Sequence, residues 1–131
     1  MPSPIVIDAS AVVEILIQGP LARKIEEAIG ERELIAPDIL NAEVLRSLRG
    51  LERGGILTAA RASQAVGRLV EGGIGRMPAA ALLQGAWSLR HNLSAYDAIY
   101  VALAQSLRCP LLTADRRLAG APALGIALIV V

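Results

Sequence analysis

Pro4-Ile5-Val6-Ile7-Asp8-Ala9-Ser10-Ala11 is the stretch that decides the fold. The run up to Ile7 is short, apolar and rich in β-branched residues, the pattern of a strand buried on both faces. It ends on a carboxylate, Asp8, and gives way at once to helix-forming residues. Ser10 has the side chain of a helix N-cap, for a helix running to about Ile17 and stopped by Gly19-Pro20. A buried strand handing over directly to a helix is the opening unit of a parallel sheet.

The same unit recurs downstream. Pro20 opens a helix from Leu21 to Ile29, closed by Gly30, and Glu33-Leu34-Ile35-Ala36 reads as a second strand. Pro37 opens a long helix with Leu40, Val44, Leu48 and Leu51 as its apolar stripe, ended by Gly54-Gly55. Thr58 caps a helix from Ala59 to Val70, halted by Gly72-Gly73, and Ile74 to Met77 is a short strand. Pro78 opens a helix to about Leu89. Ser94 caps another that is apolar almost all round, through Ala98, Ile99, Val101, Ala102, Leu103 and Ala104, and is expected deep in the domain. Pro110 to Thr113 and Ile126 to Val131 read as strands, with a helical turn near Arg116 between them. The expected fold is α/β, one domain over residues 1–131, with a mainly parallel sheet of four to five strands and helices on both faces.

Composition narrows the function. Hydrophobic residues make up 54% and charged residues 19%, which excludes a disordered chain. Phe is absent and aromatics are 2%, so the core is aliphatic. Thirteen basic against twelve acidic residues give a net charge of +1, too neutral for a bulk electrostatic binder of nucleic acid. A polyanion has to be held locally, by a few arginines or by a metal ion. Cys109 is the single cysteine, which excludes an internal disulfide and a Cys-based zinc site. It reads as a small buried hydrophobe. Met1-Pro2-Ser3-Pro4 lacks the basic start and apolar run of a signal peptide, and no stretch approaches the ~18 apolar residues of a membrane span. A cytoplasmic protein with no membrane partner is expected. The mean hydropathy of +0.53 points to a buried helix, an oligomer interface, or both.

Three of the four Asp residues share one address. Asp8 ends the first strand, Asp115 follows the strand through Thr113, and Asp97 lies in the first turn of the buried helix. Ligands of open α/β sheets bind at the carboxyl ends of strands, near a switch in strand order. Each acid also has a plain structural use. Ser94-Ala95-Tyr96-Asp97 resembles a capping box and Asp115 is a possible N-cap, whereas Ser10 is better placed than Asp8 to cap the first helix. Glu43 sits mid-helix at the border of the apolar stripe, where its alternative is a weak pair with Arg46. The other acids, Glu14 among them, read as outer-face or first-turn residues.

Crowded carboxylates repel, and a hard divalent cation removes that cost. Such an ion also polarises a phosphate and lowers the pKa of a bound water, which suits phosphodiester hydrolysis without a protein nucleophile. The sequence offers no competing apparatus: His91, the only histidine, stands beside Asn92 in a loop.

Four segments carry a resemblance. They are Ile5-Val6-Ile7-Asp8-Ala9-Ser10-Ala11, Ala42-Glu43-Val44-Leu45, Ser94-Ala95-Tyr96-Asp97-Ala98-Ile99-Tyr100-Val101-Ala102-Leu103-Ala104, and Leu112-Thr113-Ala114-Asp115-Arg116-Arg117-Leu118. In this order the chain resembles the PIN-domain family, and within it the VapC-type toxins of bacterial toxin–antitoxin pairs. The resemblance implies a three-layer α/β/α fold and Mg²⁺- or Mn²⁺-dependent endonuclease activity on RNA. It makes Asp8, Asp97 and Asp115 metal ligands, directly or through water. Glu43 completes the quartet, as ligand or as the group orienting the attacking water. Ser10 and Thr113 match small hydroxyl positions beside the acids, with ordinary capping as their alternative. A homodimer and a small cognate antitoxin, whose tail covers the groove, are also implied. One difference is Arg46, near a place where relatives often carry a small polar residue.

Arg46, Arg49 and Arg53 recur along the Glu43 helix, and Arg116 and Arg117 follow Asp115. Arg46 and Arg116 are the expected RNA-phosphate contacts, Arg116 because it adjoins the site. Arg49 and Arg53 read as a solvated face. Tyr100 reads as core, and Trp87 as packing or dimer interface. Two rival functions remain. One is a PIN-like interaction protein with weak cleavage. The other is an aspartyl-phosphate enzyme, disfavoured because the only lysine, Lys24, lies on an outer helix.

Overall fold

A computed structural model describes residues 3–121 and 124–131; the Met1-Pro2 part of the leader reading lies outside the described residues. Five strands, β1 (Pro4–Ile7), β2 (Glu33–Pro37), β3 (Gly75–Met77), β4 (Leu111–Thr113) and β5 (Leu128–Val130), form one sheet in the order β3-β2-β1-β4-β5. Every pairing is parallel, with Val6 opposite both Ile35 and Leu111. The apolar runs of β1 and β4 reach full burial at Ile5, Val6, Ile7, Leu111 and Leu112, as strands covered on both faces require.

Helices α1 (Ala9–Leu16) and α2 (Ala22–Ile29) connect β1 to β2, and α3 (Leu40–Arg53) and α4 (Ala59–Glu71) connect β2 to β3. The chain then returns through α5 (Leu83–Trp87) and α6 (Ala95–Leu107) to β4, on the other side of β1. Right-handed crossovers in opposite directions put the two helix groups on opposite faces. Accordingly α1 packs on α2, α3 and α4, while α5 packs on α6 and α6 on β1, β2 and β4. Val101, Leu103 and Ala104 of α6 are fully buried, in line with its all-round apolar sequence.

The stripe of α3 is inside at Leu40, Val44 and Leu48. Two boundaries differ from expectation. Pro37 ends β2 instead of opening a helix, and the Asp38 amide continues the ladder by donating to Met77 O at 2.8 Å. α3 therefore starts at Leu40, and Glu43 falls in its first turn, not mid-helix. The segment after Pro78 forms a 3₁₀ turn (Ala79–Leu82) and a short α5 instead of one helix. There Gly85 permits close packing on α6, since a Cβ on it would stand 3.3 Å from the Ala102 methyl.

Strand order reverses between β1 and β4, because the chain winds outward from β1 through β2 and β3 before crossing back. The carboxyl ends of these neighbours carry Asp8 and Asp115. This is the crevice that open α/β sheets use for ligands.

Candidate active site

A cleft of about 660 Å³ opens at that edge, and Asp8, Glu43, Asp97 and Asp115 all line it. Each acid stands at the start of a helical element. Asp8 is the N-cap of α1, Glu43 and Asp97 lie in the first turns of α3 and α6, and Asp115 caps the 3₁₀ turn Arg116–Gly120. Helix N-termini carry partial positive charge, which offsets part of the repulsion among the acids. The structure corrects the capping assignment. Asp8, not Ser10, caps α1, its Oδ1 accepting from the Ala11 amide at 3.1 Å; Ser10 lies inside the helix.

Asp8 is 7% exposed and held on both oxygens. The Ser10 hydroxyl donates to Oδ1 at 2.6 Å and the Thr113 hydroxyl donates to Oδ2. Each hydroxyl has one proton, so their own 3.3 Å approach adds no further hydrogen bond. Their lone pairs serve the β4 end instead: Ser10 Oγ accepts from the Ala114 amide at 3.0 Å and Thr113 Oγ1 from the Asp115 amide at 2.9 Å. Burial nevertheless raises the Asp8 pKa, with Asp97 adding to the rise and the three hydrogen bonds opposing it.

Glu43 is half-buried and accepts at Oε1 from the Tyr100 hydroxyl at 2.8 Å. Its pKa is raised as well, first by burial, then by Asp8 and Asp97, against the lowering effects of Tyr100 and Arg46. Burial beside Glu43 also pushes the Tyr100 phenol up, so it stays a donor. Asp97 is positioned by Ser94, whose Oγ accepts from the Asp97 amide at 3.2 Å.

Asp115 stands apart electrostatically. Its carboxylate is gripped by the Arg117 guanidinium, with Nη2 to Oδ2 at 2.6 Å, and this pairing lowers its pKa. Among the described residues, no three His, Cys, Asp or Glu side chains are grouped to hold one ion as they stand. The donor set nonetheless has the chemistry of a hard-cation site: carboxylates only, two of them driven toward protonation by burial and by neighbouring acids.

Of the expected supporting residues, Ser10 and Thr113 both bind Asp8, and Arg46 lines the cleft. Arg116 is exposed and absent from the cleft lining, whereas Arg117 lines it. Ser47, next to Arg46, supplies a small polar wall residue. The residues not anticipated at the site are Tyr100 as the partner of Glu43, Arg117 as the partner of Asp115, and Glu14. Tyr100 is buried, as its place one turn beyond Asp97 on an apolar helix suggests, and its hydroxyl alone reaches the site. Glu14 faces the cleft, not outward, and its Oε2 accepts from the Leu21 amide at 3.1 Å.

Comparison with known proteins gives the chain's family. The PIN domain family model matches residues 5–124. Ribonuclease VapC9 of Mycobacterium tuberculosis is 41% identical over 117 residues, covering 87% of each chain. Ribonuclease VapC3 of the same species is 37% identical over 121 residues, covering 92% of this chain and 88% of its own. Among solved structures, VapBC2 from Rickettsia felis, bound to a DNA fragment from its promoter, superposes with a TM-score of 0.67 at 11% identity, over 95% of this chain and 96% of that one. PAE2754 from Pyrobaculum aerophilum gives 0.66 at 22% identity, over 98% and 92%. The solved structures share the fold, and the family match spans all four acid-bearing segments: this chain belongs to the PIN-domain family, in its VapC group.

Proposed function

We propose that the chain is a single-domain, Mg²⁺- or Mn²⁺-dependent endoribonuclease of the cytoplasm, the toxin of a toxin–antitoxin pair. The observation that carries this reading is the convergence of four acids from four separate elements on one cleft at the sheet's switch point. Relatives named as VapC ribonucleases support RNA as the substrate, and the likeness to the VapBC2 structure supports an antitoxin partner. No helix among the described residues is long and apolar enough to cross a membrane. An exposed apolar patch on α5 and α6, with Leu83 55% and Trp87 67% exposed, is the surface suited to a second copy in a homodimer.

Asp8, Glu43, Asp97 and Asp115 would hold the ion, directly or through water. Bound there, it would neutralise the acids, polarise the scissile phosphate and make water a better nucleophile. Ser10 and Thr113 fix the plane of the Asp8 carboxylate by binding both oxygens. Tyr100 engages Oε1 of Glu43 and leaves Oε2 free to take a proton from the attacking water. Arg46 on the cleft wall and exposed Arg116 beside it would bind flanking phosphates and fix the strand's register.

The test is cleavage of cellular RNA by the purified chain, with sequencing of the new ends and Asp97→Asn as control. Cleavage should require Mg²⁺ or Mn²⁺, stop with chelator and be lost in the variant. Cleavage that persists in chelator rejects the metal mechanism, and equal cleavage by Asp97→Asn rejects the site.

A further inference from the structure

Arg117 already supplies a cation to Asp115. Its Nε lies 3.1 Å from both Oδ1 and Oδ2, and its Nη2 closes the fork on Oδ2. The guanidinium borders the cleft and also feels the charge of Asp97, yet its side chain is 84% exposed. The turn that presents Asp115 does not need this side chain, because the Arg117 backbone amide makes the cap to Oδ1, at 3.0 Å.

We propose that Arg117 is a displaceable counter-ion: its guanidinium and the divalent cation compete for Asp115, so cation entry frees Arg117 to bind an RNA phosphate. This rests on the metal-dependent reading above. The physical case has two parts. A fork that engages both carboxylate oxygens leaves poor access for an ion with its own octahedral shell, and two cations repel at that distance. The pair is also exposed on the guanidinium side, so its strength is modest and a divalent ion can displace it. The released group is planar, permanently charged and suited to phosphate. Metal and RNA binding would then be coupled through one side chain.

The test measures Mg²⁺ binding to the whole chain by calorimetry, with the Arg117 Nε–H resonance followed in parallel. Arg117→Gln should bind Mg²⁺ about three- to fivefold more tightly than the wild type, as an exposed bidentate pair allows. Arg116→Gln should match the wild type, and the wild-type Arg117 resonance should move during the titration. Unchanged or weaker binding by Arg117→Gln, a static resonance, or an equal gain in Arg116→Gln overturns the counter-ion. If the wild type takes up neither Mg²⁺ nor Mn²⁺, the metal reading falls and the counter-ion with it.

Discussion

At the residue scale, the acids are not equivalent. Asp8 is buried and its pKa raised, while Asp115 is at the rim with its pKa lowered by Arg117. In chelator, Asp8→Asn should therefore hold its stability, since Asn keeps the cap and removes a buried charge, which offsets the acceptor lost toward the Thr113 hydroxyl. Asp115→Asn should gain nothing, because it breaks an ion pair. Thermal melts with and without Mg²⁺ check both, and a marked loss in Asp8→Asn would show that the hydroxyl bonds to the carboxylate outweigh its buried charge. Tyr100→Phe removes the donor that favours ionised Glu43. The acid limb of the pH–rate profile should move to higher pH, with a stability loss of about 1.5 kcal/mol. These residues were unevenly legible. The acids stood out by type and place, but the pairing of Tyr100 with Glu43 joins helices on opposite faces of the sheet. Neither neighbouring residues nor periodicity can report such a pair.

At the element scale, the four acids sit at helix starts for a common reason. In a parallel sheet wound with helices, those N-termini collect on the edge where strands end. Three caps on one edge are thus less of a coincidence than the sequence suggests. The burial of Asp8 and the mutual repulsion of Asp8, Glu43 and Asp97 point to chemistry more sharply. Helix starts at Thr58 and Ser94 were readable because hydroxyl caps are local. The Pro37 boundary was not, because pairing with β3 extends the strand through the proline. The α1–α2 turn offers a test of its own. A Cβ at Gly19 would collide with Glu14 Oε2, so the acid must swing away and give up the Leu21 amide. Gly19→Ala should cost about 1 kcal/mol, less in a Glu14→Ala background where the clash is gone. Urea unfolding of the double-mutant cycle measures it, and strictly additive losses would exclude the contact.

At the scale of the whole molecule, the parallel sheet was legible from alternating apolar runs, whereas the strand order that makes β1 and β4 neighbours was not. Global stability should carry the signature of the site. A carboxylate with a raised folded pKa keeps its proton where the unfolded chain has lost it, so stability falls as pH rises through that interval. For Asp8 and Glu43 the interval starts near their ordinary values of 3.8 and 4.5 and extends upward. Asp115 acts in reverse and lower: its pairing stabilises above 3.8 and is lost as pH drops through its lowered pKa. Chelated protein should therefore unfold at a higher temperature near pH 5 than near pH 7, and saturating Mg²⁺ should erase the difference. A flat profile in chelator would show that burial does not hold Asp8 and Glu43 toward their protonated forms.

The bond from Thr113 to Asp8 spans 105 positions of chain. Synthesis therefore makes Asp8, Glu43 and Asp97 before the strand that fixes Asp8. A nascent polypeptide that stops short of β4 carries most of the acids and none of their final arrangement. Termination or a frameshift upstream of β4 would leave Asp8 without its Thr113 partner, so a site in its final form should require β4 to have been made.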